Sequence, residues 1–259
     1  MTLFLDVAAA EWMKLRTVRS TYAFLAGAVT ATLAGMLILL LMVRAFDADT
    51  LADRAAYETA DPTVVVMPFV AFFVGAIGAM MVTSEFTTGS VGPALLAVPQ
   101  RRLLLGAKAA LAGAVGGVGG LVFALLAVSG AMLLLGDRPA PLNPWHAWTD
   151  AVPTVLTAAA GVLVTACVGL GLGAVLRSTA SALLTLGGLV LVAPVLAHFL
   201  PVTWQLRFGS VLLPNLPAQL AGADHPYLLS PAGAAAVMAL YVAAALGAGA
   251  AAFRQRDAT

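Results

Sequence analysis

The chain has 259 residues, of which 61% are hydrophobic and 10% charged, and its mean hydropathy is +0.99. These values lie far outside the soluble globular range and make the bilayer the main solvent of this chain. A net charge of +1 with no basic run interleaved with aromatics argues against a nucleic-acid partner, and one cysteine, Cys167, rules out an internal disulfide and a Cys-rich metal site.

The first 21 residues predict a helix lying in the membrane interface. Phe4, Leu5, Ala8, Trp12 and Leu15 share one side of a helical wheel, while Asp6, Glu11 and Lys14 fall elsewhere. Arg16 and Arg19 break that stripe, so the helix is expected to end or turn near Leu15, with Trp12, Lys14, Arg16 and Arg19 at headgroup level. Charges this close to the first apolar run do not suit a cleaved signal peptide.

Six apolar stretches without Asp, Glu, Lys or Arg follow: Tyr22 to Val43, Thr63 to Val82, Ala109 to Leu135, Val152 to Leu176, Ala182 to Leu200 and Ala232 to Phe253. Each is about 19 residues or longer, enough at ~1.5 Å per residue to cross a core of about 30 Å. The expected fold class is therefore an all-α membrane protein, a single transmembrane domain over residues 1–259, because open strands would leave backbone groups unpaired in lipid. Ion-coupled transporters place acids inside the membrane, and these spans hold none, so driving energy is expected to come from elsewhere.

An even number of spans puts both termini on one side. The N-terminal segment, the 84–108 connection, the Arg177 turn and the C-terminal tail carry nine of the thirteen Lys and Arg residues. The positive-inside rule makes that side cytoplasmic. The first loop on the other side carries Asp47, Asp49, Asp53, Glu58 and Asp61. Gly113 with Gly117, Gly116 with Gly120, and Gly169 with Gly173 are each spaced by four, a pattern for close helix approach, either within the chain or at a dimer seam. No Gly-Lys dipeptide exists for a Walker A loop, so ATP would not bind by that route.

The connection from Ser84 to Lys108, SEFTTGSVGPALLAVPQRRLLLGAK, is too long for a tight turn and too short for a domain. Gly89 can end the preceding helix, Pro93 suits a first helical turn and Pro99 stops the short helix between them, with Glu85 ahead and Arg101, Arg102 and Lys108 behind. A plain re-entry loop anchored to headgroups would look the same.

The order Glu85, Gly89, Leu95, Leu96, Pro99, Arg101 or Arg102 and Lys108 between spans two and three resembles the permease subunits of type-2 ABC exporters, as does EWMKLRTVRSTY before span one. The resemblance covers the whole chain, and it implies a coupling helix that docks on a separate cytoplasmic ATPase. Glu85, Gly89, Pro99, Arg101 and Arg102 are the implied docking residues; Thr87 and Thr88 stand where members often carry a basic residue. It implies ATP and Mg on that partner and no cofactor in this chain, a second permease copy or a similar permease, surrounding membrane lipid, and a bacterial cytoplasmic membrane as location. It also implies short helices dipping back from the outer surface within 201–231, where Trp204, Pro214, Pro217 and Tyr227 make the chain too apolar for a simple solvated loop. An interfacial cap is the alternative for that stretch. The second class of function is a non-transporting membrane scaffold or regulatory subunit. A hydrolase using Ser210 with His198 lacks a Gly-x-Ser-x-Gly frame and any orienting third group, and His146, His198 and His225 are too scattered for a metal motif.

Overall fold

The computed structural model describes residues 2–97, 100–222 and 226–255. The protein is an all-α membrane protein: six helices are long and apolar enough to cross a membrane, and no strand occurs among the described residues. In chain order these are a peripheral helix α1 (Thr2–Thr17), the first span α2 (Arg19–Ala48), a single turn α3 (Leu51–Arg54), span α4 (Pro62–Thr87), the short α5 (Val91–Ala97), span α6 (Arg101–Leu135) and span α7 (Trp148–Leu176). The fifth span is composite, α8 (Thr179–Gly187) and α9 (Ala193–Ala197) joined by a π-helical turn at Gly188–Val192. Then come α10 (Val202–Val211), a 3₁₀ turn at Leu213–Asn215, α11 (Leu216–Ala221) and the last span α12 (Pro231–Gln255).

The span boundaries move outward from the sequence expectation at α2 and α6, because a helix need not stop where its side chains become polar. At 35 residues α6 is about 52 Å long, well beyond a 30 Å core, so its first two turns carry Arg101, Arg102 and Lys108 in helical register ahead of the apolar run. The fifth span is shifted the other way, starting at Thr179 behind a Ser178 N-cap and ending at Ala197 rather than Leu200.

Helix α7 is the hub. It packs against α4, α6, α8, α11 and α12, and 72% of its apolar window is buried, against 22% for α2 and 17% for α12. Glycine lets the backbones touch. A Cβ on Gly173 would lie 2.5 Å from the Ala79 carbonyl oxygen, and one on Gly120 2.9 Å from the Cα of Ala159; real Cβ atoms do not approach so closely. Gly169 meets the Gly75 and Ala79 backbone, Gly116 meets Leu163 and Ala166, and Gly113 and Gly117 face Cys167 and Leu163. The spaced glycine pairs thus serve the α4–α7 and α6–α7 contacts within one chain, where dispersion rather than hydrophobicity drives association.

The 3₁₀ turn and α11 fold back onto the bundle, against α7 and α12. Pro217 of α11 sits where a Cβ on Gly161 would lie 2.6 Å from its ring. Gly161 is thirteen residues into α7, about 20 Å along its axis. Gln219, fully buried, fixes the fold-back: its Nε2 donates to the Ser210 and Asn215 carbonyls at 2.9 and 3.1 Å, and its Oε1 accepts the Leu229 N–H.

Candidate functional site

One end of the bundle, here the N-terminal face, gathers α1, the end of α4, α5, the start of α6, the α7–α8 turn and the end of α12. Its centre is a four-charge cluster drawn from three helices. Lys108 on α6 is completely buried, and its ammonium donates to the carboxylates of Glu11 on α1 and Glu85 on α4 and to the Met81 carbonyl at 2.9 Å. Glu11 and Glu85 are themselves 4% and 5% exposed. Lys14, half-exposed at the rim, donates to both of them at 2.7 Å. Two ammoniums thus face two carboxylates, and all three hydrogens of the sealed lysine are used, as a buried charge requires.

Burial alone would lower the affinity of Lys14 for its proton. Its hydrogen bonds to Glu11 and Glu85 and the two negative charges outweigh that and hold its pKa above the ordinary lysine value. A narrow cleft of about 40 Å³, lined by Glu11, Lys14, Val18, Met80, Ser84 and Glu85, opens beside it.

The cluster sets the inner face of α1. Its inward face is Val7, Glu11 and Leu15, spaced by four, while Phe4, Leu5 and Trp12 point away from the bundle. Val7 packs with Leu104 and Ala107 of α6, and Leu15 joins Ile77, Met81 and Leu105. Phe4, Leu5 and Trp12 of the expected interfacial stripe thus face outward, whereas Leu15 turns inward beside Glu11, which ion pairing lets occupy an inner position. The helix closes at Thr17, two residues beyond the expected turn, and Val18 breaks it before α2 starts at Arg19. Arg16 and Arg19 are exposed.

A second set of contacts holds the end of α12. Arg101 Nη1 donates to the Phe253 carbonyl at 2.6 Å, satisfying one of the acceptors a helix leaves open at its C-terminus. Arg177 ends α7 in a left-handed conformation, φ 53°, with its guanidinium 5.0 Å over the Phe86 ring and Nη2 3.5 Å from the Ala252 carbonyl. Phe86 in turn contacts Phe253. The sequence marked Arg177 only as a basic turn; nothing in the linear pattern signals its stacking.

Of the residues expected to face a docking partner, Glu85 and Arg101 are therefore engaged inside the chain. Gly89 takes a φ of 69°, a left-handed turn that frees α5 from the line of α4, with open space where a Cβ would sit. Pro99 lies outside the described residues. Arg102 is exposed, and Leu96 on α5 is 84% exposed. Helix α5 packs extensively against no other helix among the described residues.

At the opposite face, Arg138 pairs with Asp47. Ser210 and His198 are not brought together: Ser210 donates to the Leu206 carbonyl and accepts the Leu228 N–H, whereas His198 bonds Gln205. His225 lies outside the described residues. No family model matches the chain, and no curated protein matches it.

Proposed function

We propose that this protein is the permease subunit of an ATP-driven ABC exporter, with the N-terminal face in the cytoplasm and α5 as the element that docks on a separate ATPase. The observation that supports this most directly is α5 itself: a short helix set off by Gly89, with Leu96 outward, whose two flanks are bolted into the bundle by Glu85 and Arg101. A helix braced at both flanks passes on a displacement that a slack re-entry loop would absorb, which suits docking on a partner. Arg102 and the exposed Thr87 and Thr88 supply a polar rim.

In this reading ATP and Mg bind on the partner. Closure of two ATPase copies would draw two α5 elements together, and the braces would transmit that displacement to α4, α6 and α12. The two copies of this permease, or this chain with a similar one, would enclose a pathway lined by uncharged spans, suited to an amphipathic or apolar substrate. The excess of Lys and Arg on the N-terminal face supports the orientation.

Two measurements test the proposal. A tagged chain purified from membranes in mild detergent is expected to bring down a nucleotide-binding subunit, and Leu96→Asp is expected to abolish that capture while leaving the permease folded. An impermeant thiol reagent applied to intact cells is expected to label Leu51→Cys and spare Leu96→Cys. Capture of no such subunit, or labelling of Leu96→Cys from outside, overturns the reading and favours a scaffold.

A further inference from the structure

The cluster of Glu11, Lys14, Glu85 and Lys108 does more than neutralise charge, because it joins α1 to two different spans on successive turns. Glu11 reaches Lys108 on α6 through one carboxylate oxygen and Lys14 through the other; Lys14, three residues on, reaches Glu85 on α4. Glu85 Oε1 accepts from both lysines. Apart from these charges α1 is held, among the described residues, by a small apolar contact of Val7 and Ala8 with Leu103, Leu104 and Ala107, by Leu15 at its far end, and by the Tyr22 hydroxyl, which donates to the Arg16 carbonyl. The other side, Leu3 to Leu5, Trp12 and Met13, is exposed and finds similar surroundings wherever the helix lies in an interface. Apolar contact of that size is non-directional and tolerates sliding. A desolvated ionic cluster does not, since its charge-assisted hydrogen bonds are short and directional and its desolvation is offset only when every one of them is made.

We propose that Glu11, Lys14 and Lys108 are positioning residues that make α1 move as one body with the ends of α4 and α6, so that displacement at α5 reaches α1 and, through Val18, the start of α2. The displacement clause rests on the permease reading; the rigid attachment of α1 does not.

Pulsed electron paramagnetic resonance on the full chain in lipid nanodiscs tests the attachment. Spin labels go on Ala10→Cys, exposed on α1, and Leu133→Cys, exposed near the far end of α6, in a Cys167→Ala background. The separation of the two sites is on the order of 40 Å, from the run of α6 between them, within range of the method. The parent is expected to give one narrow distance distribution. Glu11→Gln, which keeps side-chain volume and removes the charge, and Lys108→Met are each expected to broaden it at least two-fold or add a second population, whereas Lys14→Arg keeps it narrow. Unchanged width in Glu11→Gln overturns the proposal, and that variant decides if Lys108→Met does not fold. With a captured ATPase, ATP plus vanadate is expected to shift the parent distance and not that of Glu11→Gln; an equal shift in both also overturns it. Failure to capture any ATPase counts against the permease reading alone, because the distribution width is measured on the isolated chain.

Discussion

Replacing Lys108 with methionine removes a sealed charge at nearly constant volume, and its cost follows from the burial. Lys108 is 0% exposed and serves three acceptors, two of them carboxylates that are themselves more than nine-tenths buried. Removing one partner of a buried ion pair costs about 3–5 kcal/mol, chiefly because the remaining charge is left uncompensated. Lys14 still touches both Glu11 and Glu85, which places the expected loss at the lower end, about 3 kcal/mol, or roughly a hundredfold in the folded-to-unfolded ratio. Lys14→Met, at a half-exposed position screened by water, is expected to cost about 1 kcal/mol or less. Unfolding in mixed dodecylmaltoside–SDS micelles, followed by circular dichroism, separates the two. The triple change Glu11→Gln, Glu85→Gln, Lys108→Met is expected to be less destabilising than Lys108→Met alone, since no buried charge is then unpaired. Loss from Lys108→Met that agrees with Lys14→Met within about 0.5 kcal/mol would refute the argument, because it would mean that the Lys108 ammonium reaches water.

Other consequences can be checked on the same footing. The contribution of Lys14 depends on its proton: its folded pKa is raised, so the stabilisation is complete below the unfolded value of 10.5 and fades as pH rises through the higher folded value. Unfolding midpoints of the parent minus Lys14→Met should therefore be flat between pH 7 and 9 and converge only in stronger alkali. Gly173→Ala would push a methyl to 2.5 Å from the Ala79 carbonyl oxygen and is expected to destabilise by about 1–3 kcal/mol, whereas Gly106→Ala meets open space in a helix and is expected to gain about 0.5–1 kcal/mol. Paired thermal unfolding scans of the two variants read the difference. Gln219→Leu leaves the Leu229 N–H and the Ser210 and Asn215 carbonyls without their partner and should cost about 2 kcal/mol, with faster amide exchange confined to residues 202–230. Arg101→Ala is expected to raise protease cutting after Phe253 without moving the global midpoint by more than about 1 kcal/mol, because it frees a helix end rather than a core contact.

The membrane character, the six spans and the short helix after span two were legible along the chain because each is a local property. Runs without charge, Gly89 between two helices and a basic excess at alternate connections can be counted without knowing what packs against what. The inner face of α1 was not legible, because periodicity assigns acids to solvent and Glu11 enters the interior only in company with Lys108, 97 residues away. The intrachain acceptor of Arg101 was not legible for the same reason: the Phe253 carbonyl lies 152 residues on.

Composition alone determined that the chain lives in lipid and crosses it as helices, since hydrocarbon forbids unpaired backbone and tolerates few charges. Only the tertiary structure decided which helices are interior. Helices α2 and α7 have nearly the same mean hydropathy, yet one shows most of its surface outward and the other is enclosed. Lipid tails and leucine side chains are equally apolar, so greasiness cannot choose between them; small residues that admit a neighbouring backbone, and ions that find partners on distant turns, make the choice.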